Sequence, residues 1–281
     1  METERDRAGG WQHAKLSGHE NESIVEQMFS DKEFCLEFSQ RLGICNIIGV
    51  KVGGLYETNV ECILDKRTKS KTDLVLELED GKSVNISIKK SSGGQVYLIG
   101  VDRFISGFEK QFAVTIPDDI KDSMKLFFYG HDDTIKILNN DELTSGQPEK
   151  DINYQKRKGR LVWATMLKYD SEKAHRFLEW FKENISNLAD FCFSRGLAAN
   201  KEDWADYVWY INRLGEEDFD VIFSVADIKK AVEANIHLIV PGTRGGGTTI
   251  NLPFGFVQWH QKQMQFHHSL GILTEIVNNK L

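Results

Sequence analysis

The sequence predicts an α/β fold in which a mixed, mainly β central sheet is flanked by helices, with a helical insertion and a C-terminal β-hairpin. Three observations predict this class. Strand-like segments fill residues 47–90, aromatic residues recur at helical spacing within 161–235, and strand-like segments return after residue 235. The order of helix, strands, helices and strands is typical of mixed α/β domains.

The N-terminal half is expected to begin with helices and continue with strands. Residues 21–41 are predicted to form one or two helices, because Ile24, Val25, Met28 and Phe29 lie at helical spacing. Strands are expected over 47–90 and 95–101, followed by a helix over 103–112 and another strand over 124–129.

The C-terminal half is expected to be helical first and β-structured last. After the polar segment 139–158, residues 161–235 are predicted to be mainly helical, and their aromatic residues are interpreted as core. A strand is expected over 236–240, then a Gly-rich turn at 242–247 and a hairpin over 248–268.

Composition indicates an ordinary globular protein. The 281 residues are 41% hydrophobic and 27% charged, and the four cysteines are scattered without a CxxC pair. No apolar run approaches the roughly 18 residues that span a bilayer, and the N-terminus lacks the apolar stretch of a signal peptide. We therefore expect a cytoplasmic protein with reduced thiols, no structural zinc and no membrane partner.

The charge balance is acidic, with a formal net charge of -7. This counts against a nonspecific nucleic-acid coat protein, but an enzyme can still gather basic residues on one face. Three basic clusters are present, and each is either such a face or simply a solvated loop. They are Lys66, Arg67, Lys69 and Lys71; Lys89 and Lys90; and Lys156, Arg157, Lys158 and Arg160.

Residues 71–90, KTDLVLELEDGKSVNISIKK, predict a hairpin of two strands that are each apolar on one face. Both apolar faces pack on one core only if the loop has an odd length, and Gly81 suits the last position of a three-residue loop. That register pairs Leu78 with Lys82. It places Asp73 opposite Ser87, with Lys89 on the same face.

An aspartate, a short polar residue and a lysine on one sheet face suit phosphodiester hydrolysis. The carboxylate of Asp73 would hold a divalent cation, for which Mg²⁺ fits oxygen ligands, and the carbonyl of Ile88 would supply a further oxygen. The ammonium of Lys89 would orient or help deprotonate the attacking water and offset developing charge. The alternative is an exposed cross-strand ion pair between Asp73 and Lys89.

These residues resemble the signature of the PD-(D/E)XK nuclease superfamily, and the chain looks like a type II restriction endonuclease of that superfamily. Asp73 stands in the Pro-Asp position, and Ser87-Ile88-Lys89 stands where the family has Glu-x-Lys. Ser87 therefore stands in place of the second acidic group. Similar enzymes sometimes carry Ser, Asn or Gln at this position, and the side chain binds metal directly or through water. Glu77, further along the same strand face, is a candidate replacement.

Two further segments extend the resemblance. Glu22 lies at the start of the first helix, where many such nucleases carry a glutamate that helps to hold metal through water; Glu20 is its rival. After the lysine strand, Gln95 in a Gly-Gly-Gln element and the nearby Arg103 stand where type II restriction enzymes usually have similar residues. With Lys90, these two are candidate DNA contacts.

The C-terminal ribbon provides the other candidate DNA contacts. Gln258, His260, Gln265 and His267 recur at period two, so on a β-ribbon they would share a face and could read base edges in a groove. Arg244 in the Gly-rich turn suits a phosphate or guanine contact. The alternative is a solvent-facing strand.

The resemblance implies a site-specific endonuclease that hydrolyses double-stranded DNA with Mg²⁺. The expected organisation is a nuclease core over 1–150, a helical region over 151–235, and C-terminal strands over 236–281 that complete the core and contact DNA. Cutting both strands of a palindrome implies a homodimer or two successive nicks. The alternatives are a repair or recombination nuclease of the same superfamily and a DNA-binding module that has lost catalysis.

Overall fold

The computed structural model describes residues 19–52, 59–215 and 218–278. The chain forms two compact units, and each is built from two separate stretches. The first unit combines Met1–Ser92 with Phe193–Val225, and the second combines Gly93–Cys192 with Ala226–Leu281. The predicted division into 1–150, 151–235 and 236–281 stays a prediction.

The first unit is a five-stranded mixed sheet with helices packed on it. Its strand order is β1-β4-β5-β7-β8, and every neighbouring pair is antiparallel except β5 and β7, which are parallel. Between β1 and β4 in the chain, two short strands, β2 and β3, form a separate antiparallel pair. The elements are α1 (19–28), α2 (Lys32–Leu42), β1 (Ile47–Val52), β2 (Asn59–Glu61), β3 (Arg67–Lys69), β4 (Leu74–Leu78), β5 (Ser83–Lys89), β7 (Tyr207–Ile211) and β8 (Asp220–Ser224).

The hairpin β4–β5 has the register that the sequence predicts. Leu74 lies opposite Ile86, the amide of Leu78 donates to the carbonyl of Lys82 at 2.9 Å, and Gly81 has a φ of 80°. The left-handed φ is one that glycine adopts without strain, which explains why this residue ends the three-residue loop.

The apolar face of this hairpin forms the core of the first unit. The leucines of β4 and the isoleucines of β5 are buried against Val25 of α1, Phe29 of the turn after it, Phe38 of α2 and Trp209 of β7. The ring centroids of Phe38 and Trp209 are 4.7 Å apart. Because Leu74, Leu76 and Leu78 of β4 and the facing apolar residues of β5 point into this core, the residues between them lie on the opposite face.

The second unit joins a four-stranded antiparallel sheet, ordered β6-β11-β10-β9, to most of the helices. Its core is aromatic: the ring of Phe104 in α3 lies 5.8 Å from Phe266 in β11 and 5.5 Å from Phe191. The elements are β6 (Gly93–Gly100), α3 (Val101–Phe112), α4 (Asp118–Phe127), α5 (Thr134–Leu138), α6 (Asp141–Thr144), α7 (Glu149–Lys158), α8 (Trp163–Tyr169), α9 (Ser171–Glu183), α10 (Ile185–Asp190), α11 (Val225–Ala234), β9 (Thr249–Leu252), β10 (Gly255–His260), β11 (Gln263–Ser269) and α12 (Leu270–Val277). A π-helical turn, Phe191–Arg195, follows α10.

The mixed α/β class, the helical insertion and the C-terminal hairpin are confirmed, but two local predictions are wrong. Residues 124–129 are not a strand, because Ile120, Met124 and Phe127 form the buried side of α4. Residues 236–240 begin with the 3-10 turn Ile236–Leu238. The block 161–235 is mainly helical, as predicted, and it also contains β7 and β8.

Strand β7 escaped prediction for a physical reason. It lies in the interior of the sheet, and four of its five residues are buried. A strand covered on both faces is apolar throughout and shows no alternation, so it cannot be distinguished from a short buried helix by periodicity.

None of Cys35, Cys45, Cys62 and Cys192, all within the described ranges, forms a disulfide. Over the ranges that the structure describes, none of the helices has the length and apolar character required to cross a membrane.

Candidate active site

Asp73, Ser87 and Lys89 meet on the polar face of β4–β5. Asp73 lies just before β4, and its backbone amide donates to the carbonyl of Ile86 at 2.8 Å, which continues the hairpin ladder. Its Oδ2 atom accepts hydrogen bonds from the backbone amide of Ile88 at 2.6 Å and from the hydroxyl of Ser87 at 3.2 Å. The carboxylate is therefore held by two donors of the facing strand.

Lys89 completes a connected chain of polar atoms. Its Nζ donates to Oγ of Ser87 at 2.6 Å and to the carbonyl of Ile88 at 3.1 Å. Ser87 is only 1% exposed, and its hydroxyl accepts from Lys89 while donating to Asp73. The hydroxyl of Ser87 thus lies within hydrogen-bonding distance of both the acid and the amine.

Helix α1 brings a second carboxylate, that of Glu22, to the same place. The preceding residue, Asn21, is fully buried; its Nδ2 donates to the carbonyl of Ile211 at 3.0 Å, and its Oδ1 accepts from the amide of Arg213 at 2.7 Å. These bonds fasten α1 to the end of β7. The side chain of Glu22 is 17% exposed, and it lies close enough to Asp73 for the charge of Asp73 to raise its pKa.

The electrostatics follow from burial and from the closeness of two acids. The pKa of Glu22 is raised to about 8, mainly by burial and also by the charge of Asp73, while the ammonium of Lys89 opposes the rise. Burial likewise raises the pKa of Asp73, although Lys89, the amide of Ile88 and the hydroxyl of Ser87 all lower it. The site therefore holds two carboxyl groups that resist ionising together.

A loop of the first unit covers part of this polar face. The hydroxyls of Ser70 and Thr72 both donate to the carbonyl of Asp203 at 3.2 Å. The buried amide of Asn85 donates to two carbonyls of the same loop, and its backbone amide donates to the carboxylate of Asp206 at 2.8 Å. On this face Ser87 is buried, and Asp73 is half-buried.

Sequence reasoning did not identify Asn21, Asn85 or Asp206 as supports of the site. Their partners lie far away in the chain: Asn85 binds the loop around residue 204, and Asn21 binds the residues that follow β7. Nothing in the local pattern distinguishes an asparagine of this kind from a solvated one.

The structure does not bring Glu77 to the site. Glu77 lies four residues beyond Asp73, which corresponds to about 13 Å along a strand. Its carboxylate pairs with Lys51 of β1 and covers Gly49, where a Cβ would lie 2.7 Å from Oε2 of Glu77. Of the two acids suggested as additional groups, Glu22 is the one that comes close to Asp73.

The donor set suits a hard divalent cation. Two carboxylates and the carbonyl of Ile88 are oxygen ligands of the kind that Mg²⁺ takes, and Mg²⁺ usually keeps several waters and needs only one or two carboxylates. A cation would also stabilise the charged forms of Asp73 and Glu22, whose pKa values burial raises. Among the residues that the structure describes, no group of three or more His, Cys, Asp or Glu side chains could hold a metal.

In the second unit, Gln95, Gln265, Gln258 and His267 form one hydrogen-bonded network across three strands. The amide of Gln265 donates to Gln95 at 2.8 Å, and that of Gln258 donates to Gln265 at 2.9 Å and contacts Nε2 of His267 at 3.2 Å. His267 stacks on Phe256 with ring centroids 4.3 Å apart. These polar residues share a sheet face, as their period predicts.

The remaining candidate DNA contacts occupy separate elements. Lys90 follows β5, Arg103 is exposed in the first turn of α3, and His260 ends β10. Arg244 is exposed in the 3-10 turn Arg244–Gly246. Their role in DNA binding stays a prediction.

The chain is thus a mixed α/β protein in which Asp73, Ser87 and Lys89 form a polar cluster on one face of a sheet. No protein-family model matches the chain, and no curated protein matches its sequence. Restriction endonuclease MspI, solved as a crystal structure in complex with its cognate DNA, is similar to this chain with a TM-score of 0.47 and 12% sequence identity. The match covers 90% of this chain and 82% of that chain.

Proposed function

We propose that the chain is a Mg²⁺-dependent endonuclease for double-stranded DNA, of the type II restriction kind. The observation that supports this most is the contact chain from Asp73 Oδ2 through Ser87 Oγ to Lys89 Nζ, with Glu22 beside it. An isolated cross-strand ion pair would need neither the buried hydroxyl between its members nor a second acid whose pKa is raised by burial and by the neighbouring carboxylate.

Asp73 and Glu22 would hold the cation, together with the carbonyl of Ile88. When bound, Mg²⁺ supplies polarisation of the phosphate and a lower pKa for water. The ammonium of Lys89 would orient the attacking water and offset the negative charge that develops on the phosphate. Ser87 would position both partners, because its hydroxyl touches Lys89 and Asp73 at once.

Sequence recognition would belong to the polar face of the second unit. Amides and imidazoles can pair with base edges, and Gln95, Gln258 and His267 keep solvent-accessible surface there. Gln265 is only 8% exposed, so its amide would hold the neighbouring side chains in place rather than reach a base. Cleavage of both strands would need two copies of the chain or two successive nicks.

The test is cleavage of a supercoiled plasmid with and without Mg²⁺, followed by sequencing of the ends. We expect cuts at fixed positions, abolished by EDTA. Lys89→Ala and Asp73→Asn should each lower the rate by about a thousandfold or more. Lys82→Ala is a matched control, because Lys82 is a lysine of the same hairpin that pairs with Asp80 in the loop.

The outcomes separate the alternatives. Trimming that depends on DNA structure instead of sequence would indicate a repair or recombination nuclease. Duplex binding without cleavage would indicate a module that has lost catalysis. If Lys89→Ala and Asp73→Asn cut as fast as the unchanged chain, this hairpin is not the active site.

A further inference from the structure

The second unit contains a basic cleft that the proposed active site does not use. It has a volume of about 480 Å³, and its walls come from the end of α7, the tip of the β10–β11 hairpin and Tyr129. Four of its lining residues are cationic and none is acidic. The cations are Lys156, Arg157, Lys158 and Lys262.

The fold fixes the three consecutive cations at the end of α7. Gln155 is fully buried, and its Oε1 accepts from the amide of Val162 at 3.0 Å, which anchors the last turn of the helix. Gly159 ends α7 with a φ of 63°, and a Cβ there would lie 3.1 Å from the ring of Tyr129. The helix end and the tyrosine can therefore pack directly against each other.

Arg160, although next in sequence, is not part of the cleft. It is 1% exposed, and its guanidinium donates to the carbonyls of Leu161 at 3.3 Å and Thr248 at 3.1 Å. Burial lowers the pKa of Arg160 to about 10. The basic cluster seen in the sequence thus separates into one structural arginine and three cations that line the cleft.

Aromatic rings hold two of the cations in place. Nζ of Lys158 lies 4.5 Å from the ring centroid of Trp259, and Nζ of Lys262 lies 5.3 Å from that of Tyr129. Cation–π contacts of this length orient an ammonium without neutralising it. Within the described ranges, the indole N–H of Trp259 is buried without an acceptor, which leaves a donor in the cleft wall.

The hairpin tip carries backbone strain at the cleft. Gln261 and Lys262 form the two-residue loop between the paired residues His260 and Gln263, with φ values of 47° and 66°. A loop with two positive φ values favours Asn and Gly, and other residues are strained there. A role for the ammonium of Lys262 in binding an anion would explain why lysine, and not Asn or Gly, occupies this position.

We propose that this cleft binds the phosphate backbone of duplex DNA. The inference rests on the proposed function and names the part of the second unit that would contact DNA regardless of sequence. The negative end of the helix dipole also stabilises cations at the C-terminal end of α7. That effect does not account for Lys262, which belongs to another element and lines the same cleft.

The test measures DNA binding in a Lys89→Ala background, so that the duplex stays intact. Two duplexes of unrelated sequence are titrated by fluorescence anisotropy over a series of NaCl concentrations. We expect Lys158→Ala with Lys262→Asn to weaken binding to both duplexes by about tenfold or more. The slope of log affinity against log salt should fall by about 1.8, or about 0.9 for each lost phosphate contact.

Lys262→Asn separates charge from structure. Asparagine favours the left-handed turn, so this variant should be as stable in urea as the parent, or more stable, while it binds DNA less well. Lys82→Ala, the matched lysine of the other unit, should change neither affinity nor slope. A second readout needs no substitution in the cleft. Bound duplex should protect Lys158 and Lys262, but not Lys82, from chemical acetylation, which mass spectrometry detects.

Several results would overturn the inference. Unchanged affinity and salt slope, absent protection of Lys158 and Lys262, or a loss confined to one of the two duplexes would each reject backbone binding by this cleft. If the unsubstituted chain cuts DNA while the cleft variants bind normally, only this inference fails. If the unsubstituted chain neither binds nor cuts duplex DNA, the proposed function fails.

Discussion

Replacing Glu22 with glutamine should remove much of the pH dependence of stability in the metal-free protein. Burial and the charge of Asp73 raise the pKa of Glu22 from 4.5 to about 8. Between these values the folded chain holds a proton that the unfolded chain releases. The stability linked to this proton is therefore fully present below pH 4.5 and is lost as the pH rises through 8.

The magnitude follows from the size of the pKa shift. Each pH unit within the window changes the free energy of unfolding by up to about 1.4 kcal/mol for one proton. Over three units the unsubstituted chain should lose up to about 4 kcal/mol of stability. The pKa of Asp73 is also raised by burial, so its contribution has the same sign.

The assay is urea denaturation in EDTA at a series of pH values for the unsubstituted chain and Glu22→Gln. We expect a clear decline of stability with rising pH in the first protein and a shallower one in the second. Saturating Mg²⁺ should restore stability at high pH in the unsubstituted chain, because a bound cation favours both charged carboxylates. An undiminished pH slope in Glu22→Gln would refute the placement of this carboxyl group beside Asp73.

Three further substitutions test other parts of the structure. Lys89→Arg should recover little of the cleavage lost in Lys89→Ala, because the planar guanidinium cannot replace a compact ammonium in contact with a serine hydroxyl; recovery to the parent rate would contradict this. Asn21→Ala removes two buried hydrogen bonds and should lower the free energy of unfolding by about 2–4 kcal/mol in urea, whereas no loss would show that α1 is held otherwise. Gly255→Ala would place a Cβ 2.1 Å from the carbonyl of His267 at a φ of 152°, and should cost about 2 kcal/mol or more, with an unchanged urea midpoint as the contrary result.

The active-site hairpin was predictable because its information is local. The alternation in β4 and β5 and the odd loop ending at Gly81 determine the register, and the register alone places Asp73 opposite Ser87. The same reasoning applies to the C-terminal ribbon, where Gln258 and Gln265 are directly paired. In both cases the period of a strand decides which side chains share a face.

The other parts of the fold depend on contacts that no local pattern carries. Strand β7 is covered on both faces, so its sequence has no alternation to read. The apolar residues after position 235 form a 3-10 turn, although their composition favours a strand. The two units also draw on separate stretches of chain, which a division of the sequence into consecutive segments does not reveal.

The sequence by itself determined the pairing of an acid, a hydroxyl and an amine, because all three belong to one hairpin whose geometry follows from strand periodicity. Only the tertiary structure decided that Glu22, and not Glu77, joins them, since that choice depends on where Asn21 fastens a helix to a distant strand. The tertiary structure also buries Arg160 away from the neighbouring cations of α7 and places Lys262 in the cleft that those cations line. Proximity between remote residues is set by the packing of whole elements, and packing depends on the sum of many contacts across the chain.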